Sequence, residues 1–167
     1  HPQRHLHHRR RYRRRIPARP ARPRPPPRAP KLVAELRNDY EGLIRKLGCD
    51  PKAVIFGGRS MGGRICSMAA AESMPAAGLL LLSYPLHPPT SPEKLRVEHF
   101  ENIESPTLFV SGNNDPFGSP EEFKQHVSSI KGNVTTEFLE GGRHDPSSRA
   151  HVVSIVDAVI SWVSAFS

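Results

Sequence analysis

The chain has 167 residues and a formal net charge of +8, a length that builds one domain with a sizeable core and gives no sign of a second. The charge is uneven: residues 1–30 hold eleven arginines and no acid, so the remainder is slightly acidic and the basic balance belongs to the start of the chain. No stretch approaches the roughly 20 apolar residues of a membrane span, no apolar run follows the first charges as a secretory signal requires, and Cys49 and Cys66 have neither metal-ligand spacing nor the density of a disulfide scaffold. A reducing, cytoplasmic setting is the default expectation.

Residues 1–28 are rich in Arg, Pro and His and almost free of apolar side chains, so they cannot bury a core. They read as a basic disordered tail ahead of a domain over residues 29–167. Tyr12 is the one aromatic interleaved with the arginines, which removes base stacking and leaves only phosphate contact. Nucleic acid is therefore not an expected partner.

From Lys31 to Leu47 the apolar residues Leu32, Val33, Leu36, Tyr40, Leu43, Ile44 and Leu47 recur at helical spacing, and Gly48 stops the helix. Ala53 to Phe56 is a short apolar run ending in Gly57-Gly58, the pattern of a strand buried on both faces. Met61 to Met74 predicts a buried helix ended by Pro75, with Met61, Met68, Met74 and Cys66 as core filler. Gly78 to Tyr84 predicts a second strand, Pro85 to Pro92 a loop, and Glu93 to Asn102 a short helix. Thr107 to Ser111 is a third strand, and Pro120 to Ile130 a helix with Ser119 as N-cap. Val134 to Leu139 is a fourth strand, and Val152 to Phe166 a terminal amphipathic helix. Strands alternating with helices at this spacing predict an α/β class, a parallel sheet with right-handed crossovers whose ligands sit beyond the carboxyl ends of the strands.

Gly58-Arg59-Ser60-Met61-Gly62 is a G-x-S-x-G pentapeptide set between a predicted strand and a predicted helix. The pentapeptide alone is weak; its placement makes it specific. A turn this tight predicts that both Gly58 and Gly62 avoid collisions, that Ser60 is held out above the sheet, and that the Met61 amide faces a developing oxyanion. A glycine-rich turn without chemistry is the alternative. A phosphate-binding loop fails, because no Lys-Ser or Lys-Thr follows the glycines.

A serine hydroxyl becomes a nucleophile when a histidine takes its proton and a carboxylate orients that histidine. The chain supplies both in the order serine, acid, histidine: Asp115 just past the third strand and His144 just past the fourth. Asp145 competes for the acid's role, although its adjacency to His144 makes the geometry awkward. His87 lies near the same rim by topology and is either a loop histidine or, with Arg59, a lining residue of the pocket. Such chemistry needs neither metal nor cofactor, and none is expected.

Gly57-Gly58-Arg59-Ser60-Met61-Gly62-Gly63-Arg64, Tyr84-Pro85-Leu86-His87-Pro88-Pro89, Pro92-Glu93-Lys94-Leu95-Arg96, Asp115-Pro116-Phe117-Gly118 and His144-Asp145 together resemble the dienelactone-hydrolase-like α/β-hydrolases. The nearest branch is the one with testis-expressed α/β-hydrolase-like proteins and the third subunit of the nonspecific-lethal acetyltransferase complex. The resemblance runs from about Pro25 to the C-terminus. It implies a mostly parallel sheet flanked by helices, with Ser60, Asp115 and His144 at the family's triad positions. Members begin with further strands and a glycine-containing loop that donates a second oxyanion amide. Here the first glycine is Gly42 and the chain opens on His1, so an N-terminally truncated or altered α/β-hydrolase fold is expected. The function implied is a serine hydrolase, esterase-like, acting on a small-molecule ester or related acyl bond. The alternative is a catalytically impaired hydrolase-like module that binds a protein partner.

Overall fold

The computed structural model describes residues 28–166. The tail expected over residues 1–28 therefore lies almost wholly outside the described residues. The elements are α1 (Ala29–Leu47), β1 (Ile55–Arg59), α2 (Met61–Ala71), β2 (Gly78–Leu82), β3 (Thr107–Gly112), α3 (Pro120–His126), β4 (Val134–Leu139) and α4 (Arg149–Ser164). Three-residue 3-10 turns fall at Pro51–Ala53, Phe100–Asn102 and Val127–Ser129. The four strands are parallel and lie in the order β1-β2-β3-β4, so every strand ends on one common rim.

Two-residue alternation divides the sheet's side chains between two layers. Leu79, Leu81 and Phe109 face Cys66 and Ala70 of α2 and Phe123 of α3. Leu80, Leu82, Leu108 and Val110 face Trp162 of α4. α1 packs on the outside of α2 through Val33 and Tyr40 against Ile65, Ala69 and Met74. It ends where Gly48 adopts φ 61° and returns its amide to the Ile44 carbonyl, a left-handed cap that glycine accepts without strain. Ser119 and Glu122 form a reciprocal capping box at the start of α3.

The structure departs from the periodicity in four places. The first strand runs from Ile55 to Arg59 rather than from Ala53 to Phe56, because Asp50 caps a turn over Pro51–Ala53 and pairing with β2 continues through both glycines. Among the described residues that strand pairs only with β2, so it is a partly exposed edge and not a strand buried on both faces. The helix expected over residues 93–102 is reduced to the turn Phe100–Asn102. Both backbone groups of Arg96 are engaged elsewhere: its amide donates to the Leu86 carbonyl at 2.8 Å, and its carbonyl accepts the Tyr84 hydroxyl at 2.6 Å. They are thus lost to an i to i−4 ladder. Finally, α2 stops at Ala71 and α3 at His126, short of the expected Met74 and Ile130.

Candidate active site

Ser60 closes β1 and opens α2 with φ 51° and ψ −120°, a conformation that costs a non-glycine residue about 1–3 kcal/mol. The surrounding bonds hold it there. Its amide donates to the Leu82 carbonyl at 2.9 Å, and its carbonyl accepts the Arg64 amide at 3.0 Å as the first bond of α2. The amides of Met61, Gly62 and Gly63 precede that first bond and are left without intrahelical acceptors, at the positive end of the helix.

A Cβ on Gly58 would lie 2.5 Å from the Gly62 carbonyl carbon, and one on Gly63 would lie 2.8 Å from the Gly58 oxygen. At Gly62 nothing lies within 4 Å. The steric demand expected of Gly58 and Gly62 therefore falls on Gly58 and Gly63, because α2 turns position 62 away from the strand. Met61 also departs from expectation. Its side chain is 47% exposed beside Ser60 rather than packed in the core, whereas Met74 and Cys66 are buried.

The rim brings three side chains together from the ends of three strands. Ser60 Oγ lies 2.8 Å from His144 Nε2, and His144 Nδ1 lies 2.8 Å from Asp115 Oδ2. Because the carboxylate can only accept, Nδ1–H donates to it and Nε2 is left with a lone pair for the serine hydroxyl. The Asp115 side chain is fully buried, and that of His144 is 21% exposed. The second Asp115 oxygen accepts the Phe117 amide at 2.9 Å, so one oxygen is fixed by the loop and the other is free to orient the imidazole.

The loops that carry Asp115 and His144 are tied to each other. Asn114 donates its amide to the Gly142 carbonyl at 2.8 Å, and the Asn113 side chain accepts the Gly141 amide at 2.9 Å while donating to Glu140 at 2.9 Å. A side chain on Gly112 would overlap the Gly142 carbonyl. The Phe117 ring stacks on the His144 ring with the two planes tilted by 30°. The sequence pattern gave Phe117 and the asparagines no role of their own, although Phe117 lies in the Asp115-Pro116-Phe117-Gly118 block, an aromatic in a polar, glycine-bounded loop.

Asp145 does not reach the imidazole edge that Asp115 occupies. It pairs with Arg59, whose guanidinium donates to Asp145 at 2.8 Å and to the His144 carbonyl at 3.2 Å. Arg59 thus clamps the histidine loop. His87 is buried, with Nδ1 2.8 Å from the Pro88 carbonyl and Nε2 3.0 Å from Glu122. It braces the loop after β2 against α3. Glu122 is held below the usual carboxylate range, first by the Ser119 amide and also by His87.

A groove of about 710 Å³ between α3 and β4, lined by Val127, Ile130, Val134 and Phe138 among others, includes none of these residues. Among the described residues, no group of three or more His, Cys, Asp or Glu is arranged to hold a metal ion, and no helix is long and apolar enough to cross a membrane.

Several solved structures share this arrangement of strands and helices. SOBER1 of Arabidopsis thaliana superposes with a TM-score of 0.58 at 16% identity, over 83% of this chain and 64% of its own. A monoacylglycerol lipase of Paleococcus ferrophilus gives 0.64 at 16% identity, over 81% and 76%. An alpha-beta serine hydrolase homologue from Coxiella burnetii gives 0.61 at 20% identity, over 77% and 57%. The chain thus spans less than two thirds of the length of SOBER1 and of the Coxiella protein. The profile of the alpha/beta hydrolase domain matches residues 9–164, and with the parallel sheet and its helices this places the chain in the alpha/beta hydrolase family.

Proposed function

We propose that this chain is an esterase-like serine hydrolase of the dienelactone-hydrolase-like branch, cleaving an ester or related acyl bond of a small molecule. The observation that carries the reading is the pair of 2.8 Å contacts joining Ser60, His144 and Asp115. Ser60 Oγ attacks the acyl carbonyl as His144 Nε2 takes its proton, and Asp115 steadies the imidazolium that forms. The Met61 amide faces the oxyanion at the head of α2, and one such donor is worth about 10² to 10³ in turnover. His144 then gives the proton to the departing alcohol. Water, activated by the same imidazole, releases the acid and restores Ser60.

A fluorophosphonate probe tests this directly. Folded protein is expected to label on Ser60, and Ser60→Ala to abolish the label. Equal labelling of the two proteins, or none of the folded parent, would overturn the proposal.

A second reading, a protein-binding module, draws on α4, where Val152, Val156, Ile160 and Val163 are exposed. A stable partner that is captured equally by Ser60→Ala and lost on Val156→Asp with Ile160→Asp supports it.

A further inference from the structure

One helical turn beyond the nucleophile, the chain gathers cations with nothing to neutralise them. Arg64 and Arg96 are both half-buried, yet neither enters an ion pair among the described residues. Arg64 Nε is buried with no hydrogen-bond partner, and so is His99 Nδ1. Half-buried guanidinium groups ordinarily find carboxylates or carbonyls, because an unpaired donor out of water is costly. Finding two of them in one neighbourhood, with the Arg64 Nε–H left without any acceptor, is the signature of a missing anion.

The walls of this cluster are built rather than loose. The Ser67 hydroxyl donates to the Arg64 carbonyl at 2.7 Å and contacts His99 Nε2 at 2.7 Å. Because that hydroxyl proton is committed to the carbonyl, Nε2–H donates to Ser67 and fixes the ring. Tyr84, wholly buried, donates to the Arg96 carbonyl, and the Arg96 amide returns to Leu86. These bonds are also what keeps residues 93–99 out of a helix and folds them over α2. The two guanidinium groups sense one another: Arg96 is held below its ordinary range first by burial and then by the Arg64 charge. Glu98 is the neighbouring carboxylate, and it remains exposed and forms no ion pair among the described residues.

We propose that Arg64 and Arg96 form a recognition site for an oxyanion, a carboxylate or a phosphate, adjoining the Ser60 centre, with the neutral His99 ring as a wall that fixes Ser67 and donates nothing to the anion. Planar guanidinium forks suit such groups because two parallel N–H donors match two oxygens. The site itself follows from the two unpaired guanidinium groups and the orphaned Arg64 Nε donor. Its further consequence, that the preferred ester carries an anionic group remote from the scissile bond, rests on the hydrolase reading above. The first turn of α2 links the two, since the Arg64 amide is bonded to the Ser60 carbonyl.

Two arms separate the site from the chemistry. Calorimetric titration of the full chain with inorganic phosphate and, separately, with succinate is expected to show saturable binding of at least one. Arg64→Met and Arg96→Gln should each weaken it about tenfold or more, and Glu98→Gln should strengthen it. Circular dichroism and melting identify any variant that fails to fold; Arg96→Gln, in a loop outside the helices and strands, covers for Arg64→Met. Binding of phosphate alone points to a free anion, and binding of succinate to the carboxylate of an acyl group. In the second arm, kcat/KM is compared for p-nitrophenyl butyrate and the mono-p-nitrophenyl ester of succinate. The ratio of anionic to neutral ester should fall about tenfold in both arginine variants. Binding of neither anion, or binding unaffected by both substitutions in folded protein, overturns the site. Anion binding that depends on both arginines, in a protein that cleaves no ester and takes no fluorophosphonate, leaves the site standing and removes the hydrolase reading instead.

Discussion

The ring of Phe117 stacks on the imidazole of His144, with centroids 4.0 Å apart and planes at 30°, while the backbone amide of the same residue holds Asp115 Oδ1. One loop residue therefore touches two members of the proposed triad, by face and by amide. Aromatic stacking contributes about 0.5–1.5 kcal/mol, and the ring face favours the imidazole further once it is protonated. Phe117→Leu keeps the amide and loses the stack. Steady-state ester hydrolysis should show kcat reduced roughly 3- to 10-fold with a smaller change in KM; an unchanged kcat would show that the stack does not serve the base.

Two aspartates flank His144, and substitution separates their parts. Asp115→Asn removes the acceptor that sets the imidazole tautomer, with an expected loss of about 10⁴ in kcat. Asp145→Asn removes only the partner of Arg59, a pair in which the two side chains are 48% and 81% exposed. Such a pair contributes at most about 1 kcal/mol, so a loss of kcat below about fivefold is expected. Active-site titration followed by kcat measurement decides it, and a larger loss from Asp145→Asn than from Asp115→Asn would reverse the assignment.

The elbow makes a steric prediction that the pentapeptide alone does not. Gly58→Ala drives a methyl group into the Gly62 backbone, which cannot move without breaking the start of α2. Urea denaturation should report a loss of about 1–3 kcal/mol or more. Gly62→Ala meets open space and lies in the first turn of a helix, where alanine is favoured by up to about 1 kcal/mol. Equal destabilisation by the two would contradict the observed packing.

His99 gives the fold a pH dependence whose sign is fixed. Burial, reinforced by the Arg64 charge and opposed by Glu98, holds its imidazole below the ordinary 6.5. The unfolded chain therefore binds a proton at a pH where the folded chain does not, and the stability present above pH 6.5 is lost as the pH falls toward the folded value. Melting temperatures measured downward from pH 7.5 should decline below pH 6.5, and less steeply in His99→Gln. Identical slopes for the two proteins would assign the dependence to other groups.

Much of this molecule was legible from spacing. Apolar runs bounded by glycine and proline located the four strands, and helical spacing located α1 and α4; in α4, however, Val152, Val156, Ile160 and Val163 of the expected apolar face are exposed, and Trp162 with Ile155, Ala158 and Val159 packs on the sheet. The helix expected over residues 93–102 was not legible in that way. The bonds that win there, between Arg96 and Tyr84 and Leu86, come from 12 and 10 residues earlier in a chain that has doubled back.

The sequence by itself determined the α/β class, the elbow around Ser60 and the order in which Asp115 and His144 follow their strands, all of which are local matters of turn chemistry and burial pattern. Only the tertiary structure decided which aspartate meets the imidazole, that Gly63 rather than Gly62 is the close contact, and that Arg64 and Arg96 stand half-buried without an ion pair among the described residues. The first depends on residues 29 and 84 positions apart approaching within hydrogen-bond distance, as Asp115 and Ser60 do with His144, and the second on the angle at which α2 leaves β1. Such distances are set by how β-strands stack and loops cross, and no local period encodes them.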